Sequence, residues 1–455
     1  MSTKIKNMTQ GSPGRLIFCF AIPLMAGNVF QQLYTVVDTM VVGKFLGVDA
    51  LAALGAADWL NWMMLGIVQG FTQGFAIRMA QEFGAGDYKG LKKTVGNSAA
   101  LSVIFAVVLV LVGEWIAKPV LLLLHTPSEI LSDALLYIRI MFLGTPVVMA
   151  YNLLACILRS LGDSKTPLYA MIIASLTNIV LDILFVFGFH WGIAGAAAAT
   201  LIAQVVSGIY CYGYLQKIEF IRLSARELRI DPGMVGKLLY LGSPMAFQNA
   251  IIAIGGMMVQ SVVNGFGVIF IAGFTATNKL YGLLEIAATS YGYAVVTYVG
   301  QNLGARKLKR ISKGMRSAIV IAMITSVVIA VVMLLFGKVI LSCFISGTEA
   351  QVEQALSVAY FYLAVMSLTL PILYLLHVVR SGIQGLGNTF LPMMSGIAEF
   401  CMRTATAFLL PGIVGEAGIF FAEPAAWLGA DIVLIISYIT VMRSFKRSMK
   451  LTEEA

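Results

Sequence analysis

Residues 16–455 read as one six-helix plan written twice, and that duplication limits the fold more than any single motif. The residues that punctuate the backbone recur in the same order. Pro23 and Asn28 return as Pro244 and Asn249, both at a spacing of 221. Gln81, Gly84 and Ala85 return as Gln301, Gly304 and Ala305 at a spacing of 220. Pro146, Leu161, Gly162 and Pro167 return as Pro371, Leu386, Gly387 and Pro392 at a spacing of 225. Proline and glycine set kinks and turns, so a shared order implies a shared backbone path with a few residues inserted.

The solvent for this fold follows from composition. The chain is 59% hydrophobic and 12% charged, against roughly 25% charged in soluble domains. Apolar runs of about 20 residues or more, long enough to cross a bilayer as helices, recur twelve times. They fall near 16–42, 51–77, 95–118, 134–158, 167–189, 192–215, 238–263, 268–299, 317–345, 356–381, 389–410 and 424–442. The expected fold is an all-α integral membrane protein with two six-helix lobes, residues 1–215 and 238–455, joined by a cytoplasmic linker at 216–237. An even helix count starts both lobes on the same side, so their pseudo-two-fold runs along the membrane normal, and a central cleft is expected between them. Such repeats are the usual architecture of secondary transporters.

Orientation follows from lysine and arginine. With the N-terminus inside, the cytoplasmic segments carry 25 of the 31 basic residues, Arg380 among them. Lys44, Lys118, Arg139, Lys279, Lys338 and Arg403 are left for the outer side or the membrane. That asymmetry is the positive-inside rule; it places both termini in the cytoplasm and explains the net charge of +9 without a nucleic acid partner. The block Arg306-Lys307-Leu308-Lys309-Arg310 is then a topology signal before it is a lipid contact. The first apolar run is too long for a cleavable signal. The linker, basic with Leu228 and Ile230 between charges, is expected to form a surface helix.

Several functions lose support. The cysteines (19, 156, 211, 343, 401) are scattered singly, and His125, His190 and His377 lie far apart, without disulfide or metal spacing. No nucleotide-binding loop or zinc-hydrolase motif occurs. No cofactor is expected, and the chain is not expected to be an enzyme.

Ionisable groups in mid-bilayer are costly and therefore functional candidates. Asp38 lies in the first span, Asn178 and Asp182 in the fifth, Thr200 in the sixth. At a rise of about 1.5 Å per residue, Asp38 sits roughly 7 Å below the outer boundary, Asp182 roughly 9 Å and Thr200 roughly 12 Å. Asn178 and Asp182, four apart, share a helix face. Three helices thus bring hard oxygen ligands to one level, a set suited to Na⁺. It suits a proton equally well, because desolvation and repulsion between two carboxylates favour taking one up. The competing reading is a set of helix staples, with Arg139 neutralising one acid.

The second lobe is not a copy here. At the spacing of 225, Asn178 falls on Arg403 and Asp182 on Ala407. Glu399 and Arg403, four apart, form an intrahelical pair in the favourable order, structural first and substrate-linked or gating second. Glu285 lacks an evident partner apart from Lys279 and is a candidate for attracting a cationic substrate.

These residues resemble the MATE (multidrug and toxic compound extrusion) family over nearly the whole chain. The matching pieces are Val37-Asp38-Thr39-Met40-Val41-Val42-Gly43, Gln81-Glu82-Phe83-Gly84-Ala85-Gly86-Asp87, Leu161-Gly162-Asp163, Asn178 with Asp182, Gly195-Ala196-Ala197-Ala198-Ala199-Thr200 and Gln301-Asn302-Leu303-Gly304-Ala305. The resemblance implies a V-shaped pair of lobes exporting small, cationic, amphipathic molecules against inward H⁺ or Na⁺. It also implies a monomer in the plasma membrane among lipids. The positions matching Asp38, Asn178, Asp182 and Thr200 form the family's first-lobe cation site, and Pro23 matches the proline at which the first helix is proposed to bend. The acids that one branch carries in its seventh and tenth helices are missing here, which places the chain nearer the DinF-like branch and rests coupling on the first lobe. The rival readings are a lipid-linked-precursor flippase of the same superfamily and an integral-membrane transferase. The flippase would favour a more basic cleft and the transferase polar clusters at a membrane face.

Overall fold

The computed structural model describes residues 5–124, 126–224, 227–345 and 349–453; His125 and the linker residue Arg226 lie outside them. Among the described residues every regular element is a helix. In chain order these are α1 (Pro13–Phe45), α2 (Val48–Ala85), α3 (Tyr88–Leu123), α4 (Ser128–Leu143), α5 (Thr145–Ser160), α6 (Lys165–Asp182) and α7 (Gly192–Leu215). Then follow α8 (Pro232–Val263), α9 (Val268–Gly304), α10 (Leu308–Ser342), α11 (Glu349–Gly385), α12 (Phe390–Leu409), α13 (Pro411–Val414) and α14 (Ala422–Glu453). Among the described residues ten spans are long and apolar enough to cross a bilayer, and the bent pair α4–α5 makes an eleventh. The 37-residue α9, which carries Lys279 and Glu285, completes the twelve runs expected from the sequence.

Lipid-facing surfaces are written in the burial pattern. On α3, Val103, Val107, Leu111 and Trp115 recur at the helical spacing of four and are exposed, while Ala106, Gly113 and Ala117 are buried. On α10, Val320, Ile324, Val328 and Leu335 are exposed in the same way, while Ala318, Ala322 and Ala330 are buried. Large apolar side chains outside and small ones inside are what a bilayer selects, because close packing rather than hydrophobic transfer joins helices there.

Packing divides the chain into two compact units. One comprises Met1–Gln10, Ile22–Ala250 and Gly300–Arg306, the other Gly11–Ala21, Ile251–Val299 and Lys307–Ala455. Within the first, α2 packs against α3, α4 and α5, and α6 against α7. Within the second, α10 packs on α11, and α14 on both α11 and α12.

The repeat is real at the level of single turns. Gly162 has φ +82° and Gly387 φ +85°, a left-handed conformation open to glycine at little cost. Each is followed by a side chain that caps the next helix. Asp163 Oδ1 accepts from the Lys165 and Thr166 N–H groups at 3.0 Å, and Asn388 Oδ1 accepts from Leu391 N–H at 3.1 Å. The prolines diverge more. Pro146 begins α5 after a 49° bend, whereas Pro371 sits inside an unbroken α11. Gly144 stands at the first bend, and Thr369-Leu370 occupy the corresponding stretch of α11.

The linker departs from expectation. Between α7 and α8 the described residues form a single 3₁₀ turn, Glu219–Ile221, rather than a surface helix, and α8 already begins at Pro232. Leu228 and Ile230 are exposed, so they offer no buried apolar stripe to hold one. The segment is instead pinned to α3: Asp231 N–H donates to Asn97 Oδ1 at 2.8 Å, and Lys93 pairs with the Asp231 carboxylate. Asp231 caps α8 by accepting from Met234 N–H at 2.8 Å. The Lys93 ammonium and that N–H hold its carboxyl below the usual carboxylate range.

Candidate functional site

The site is built from the α6–α7 hairpin outward. A run of small residues lets these two helices approach. Gly195, Ala196, Ala197 and Ala199 are buried on α7, and a Cβ on Gly195 would press on Phe185 and Trp191. That closeness brings Asn178 to Thr200, whose hydroxyl accepts from Asn178 Nδ2 at 3.3 Å. One turn on, Asp182 is fully buried at the last residue of α6, and there the α-helix passes into a π-helical turn, Ile183–Gly188. Such turns frequently occur at functional positions, and nothing in the local sequence announced this one.

Asp38 comes from α1, and its carboxyl faces that of Asp182. Both Asp182 oxygens, one Asp38 oxygen and the Asn178 amide oxygen are buried without a hydrogen-bond partner among the described residues. Two ionised carboxylates have no proton to give each other, so the facing pair lacks a donor. Unsatisfied buried acceptors are costly, and a cation, a proton or another hydrogen-bond donor would relieve them. Two carboxylates, an amide oxygen and a hydroxyl make a hard-oxygen set that fits either Na⁺ or H⁺.

Three neighbours escaped the sequence reading. Asp58 of α2 acts on Asp38 as a third negative charge. Tyr34, one turn before Asp38, and Tyr137 of α4 lie within the field of both aspartates. The helical spacing of four between Tyr34 and Asp38 was a usable signal, whereas nothing local marks Asp58 or Tyr137. Arg139 does not neutralise the pair: its Nε meets Glu114 Oε2 at 3.3 Å.

In the second unit the intrahelical pair exists, Arg403 Nη2 to Glu399 Oε1 at 3.0 Å, but it is half of something larger. Arg380 Nη2 reaches Glu399 Oε2 at 2.6 Å, and Arg403 Nη2 also reaches Glu423 Oε2 at 2.7 Å. Arg380, assigned from sequence to the cytoplasmic side, is thus a buried member of this network. Glu285 also gains a partner the sequence did not indicate, His377 Nε2 at 3.3 Å, in place of Lys279.

The MatE family model matches this chain over residues 23–184 and again over 244–409, once for each repeat. Among curated proteins, the probable multidrug resistance protein YpnP of Bacillus subtilis is 31% identical, over 79% of this chain and 81% of its own length. The probable multidrug resistance protein YoeA of the same organism is 28% identical over 93% of both chains. Among solved structures, the outward-facing conformation of a multidrug resistance MATE family transporter of the MOP superfamily superposes with a TM-score of 0.89 at 22% identity. That match covers 98% of this chain and all of the other.

Proposed function

The chain belongs to the MatE family, and from that membership we propose that it is a secondary active exporter of small organic molecules, driven by inward H⁺ or Na⁺. The observation that carries the coupling is the facing Asp38–Asp182 pair, Asp182 buried and Asp38 half-buried, with acceptor oxygens that lack donors among the described residues. With both carboxylates ionised, like charges face each other in a low-dielectric site and repel. An ion or proton entering between them joins α1 to α6 and removes the repulsion. Asn178 and Thr200 supply the remaining oxygens and orient each other through their hydrogen bond. Coupling needs the ion to favour one facing of the transporter and the substrate the other; affinity alone moves nothing.

The substrate is a small, cationic, amphipathic molecule, in keeping with the multidrug names of relatives that span about nine-tenths of the chain. Those names favour export over a lipid-linked-precursor flippase, and transport rather than an enzymatic reaction. The protein works without a cofactor, as a monomer in the plasma membrane, with both termini in the cytoplasm.

Reconstitution in liposomes tests the assignment. Asp38→Asn and Asp182→Asn should each abolish export against a substrate gradient while the protein remains in the membrane. Uphill export at the wild-type rate by either variant would show that the ion binds elsewhere. Replacing an H⁺ gradient by a Na⁺ gradient of equal size identifies the ion.

A further inference from the structure

The second unit holds a buried charge cluster that this coupling does not use. Along its contacts the signs alternate: Arg380 of α11, Glu399 and Arg403 of α12, Glu423 of α14. Two guanidiniums and two carboxylates balance. Asp431, about two turns after Glu423 on α14, breaks the balance. It is only 5% exposed, its Oδ1 has no hydrogen-bond partner among the described residues, and the charges acting on it are those of Arg380 and Glu399. Among these five groups three acids stand against two bases where an uncompensated charge is expensive, with Glu285 acting on Glu423 and His377 on Glu399 from outside them.

Among the described residues no other lysine or arginine pairs with these acids. On α11, His377 is engaged with Glu285 of α9. The 3₁₀ turn before α14 contributes Glu416, which is exposed. The nearest tyrosine along α14, Tyr438, is neutral in the phenol form.

We propose that Asp431 is a second proton-binding site: one proton from water converts its carboxylate to the acid and takes the cluster from a net charge of −1 to zero. A metal cation does not fit. It needs several oxygen ligands, yet both Glu399 oxygens and one of Glu423 are held by guanidinium groups, and a single free Asp431 oxygen holds a proton but not a coordination shell. Arg380 is held by Glu399 at 2.6 Å; the ionised form of Asp431 attracts the same guanidinium, and protonation removes that attraction. The proton therefore sets how α14 is tied to α11 and α12. As a step in transport this rests on the antiport reading above; as a binding site it does not.

The test is a proton count. Purified protein in weakly buffered detergent is shifted from alkaline to mildly acidic pH and its uptake read with an indicator dye. Wild type should take up one proton more than Asp431→Asn, and the same difference should persist in an Asp38→Asn/Asp182→Asn background. Normal transport by that background would sink the first-unit coupling site without touching this difference. Equal uptake by wild type and Asp431→Asn overturns the proposal, as does suppression by Na⁺ at fixed pH of the Asp431-dependent difference in the Asp38→Asn/Asp182→Asn background. Infrared difference spectra cover the case in which the asparagine variant fails to fold. The wild-type spectrum should contain the carbonyl stretch of an un-ionised carboxyl that shifts in Asp431→Glu, and an unshifted band refutes the assignment.

Discussion

Gly304 lies on the backbone carbonyl of Gln81 so closely that no side chain fits between them, and Gly84 lies in the same way on the carbonyl of Gln301. The two contacts are copies of each other at the repeat spacing of 220. Around them, Gln301 works as a clamp: its Oε1 accepts from Met8 N–H at 2.8 Å and its Nε2 donates to Ser160 O at 2.8 Å. Asn302 Nδ2 donates to Met8 O at 3.2 Å. The first prediction follows from this geometry. The obstacle at each glycine is backbone, which cannot swing aside, so Gly84→Ala and Gly304→Ala should each cost about 1–3 kcal/mol through overpacking. Thermal unfolding in detergent reads this directly. An unchanged midpoint in either variant means that the helices are not in contact there.

A second prediction concerns Arg306, which repeats Gly86 at the same spacing. Gly86 has φ +72° and donates to Phe83 O at 3.1 Å; Arg306 has φ +55° and donates to Leu303 O at 2.9 Å. The turn is the same, but only one copy carries the residue suited to left-handed backbone. Arg306→Gly should raise stability by about 1 kcal/mol, the usual cost of that conformation for a side-chain-bearing residue. A lowered unfolding midpoint would mean that the Arg306 side chain contributes more than its strain removes.

Much of this was legible before the structure. Helix positions and the paired turns at Gly162 and Gly387 follow from apolar length and glycine chemistry, both local properties. The meeting of Asp38 with Asp182 was readable because rise per residue converts sequence position into depth. Partnerships between distant helices were not. Arg380, Glu399 and Glu423 are separated by 19 and 24 positions, and no periodicity links residues on three different helices. Topology counting placed Arg380 on the cytoplasmic side from its position near a helix end and could not show that it is buried against Glu399. Pro146 and Pro371 match in sequence yet differ in effect, since a proline bends a helix only as far as its surroundings allow.

The charge network gives a third prediction, opposite to the one an isolated pair would give. If Glu399 and Arg403 only neutralised each other, exchanging them would preserve the pair. In the observed network, Glu399→Arg sets a guanidinium against Arg380, and Arg403→Glu sets a carboxylate against Glu423. The exchanged double variant should therefore be no better folded than Arg403→Leu alone, which leaves a buried carboxylate without its partner at a cost of about 3–5 kcal/mol. Monodisperse yield and melting midpoint decide it. Wild-type stability in the exchanged protein would reduce the network to a single pair.

The fourth prediction places the mechanical response at Pro23. This proline lies inside an otherwise continuous α1, where its missing N–H leaves the carbonyl four residues earlier without a helical donor and its ring crowds the preceding turn. The helix passes from one packing unit to the other between Ala21 and Ile22, directly before it. Asp38 stands fifteen residues further on, about 22 Å along the axis, so charge neutralisation at Asp38 can be expressed as a change of bend at Pro23. Pro23→Ala restores the hydrogen bond and stiffens the helix; proline costs about 3 kcal/mol more than alanine in a helix interior. Ion affinity should then stay close to wild type while exchange between the two facings slows. Spin labels replacing the exposed Phe18 and Met40 report the bend as an interlabel distance at high and low pH. Wild type should shorten on acidification and Pro23→Ala should not. An identical pH response in both proteins would make the proline a static kink and move the hinge elsewhere.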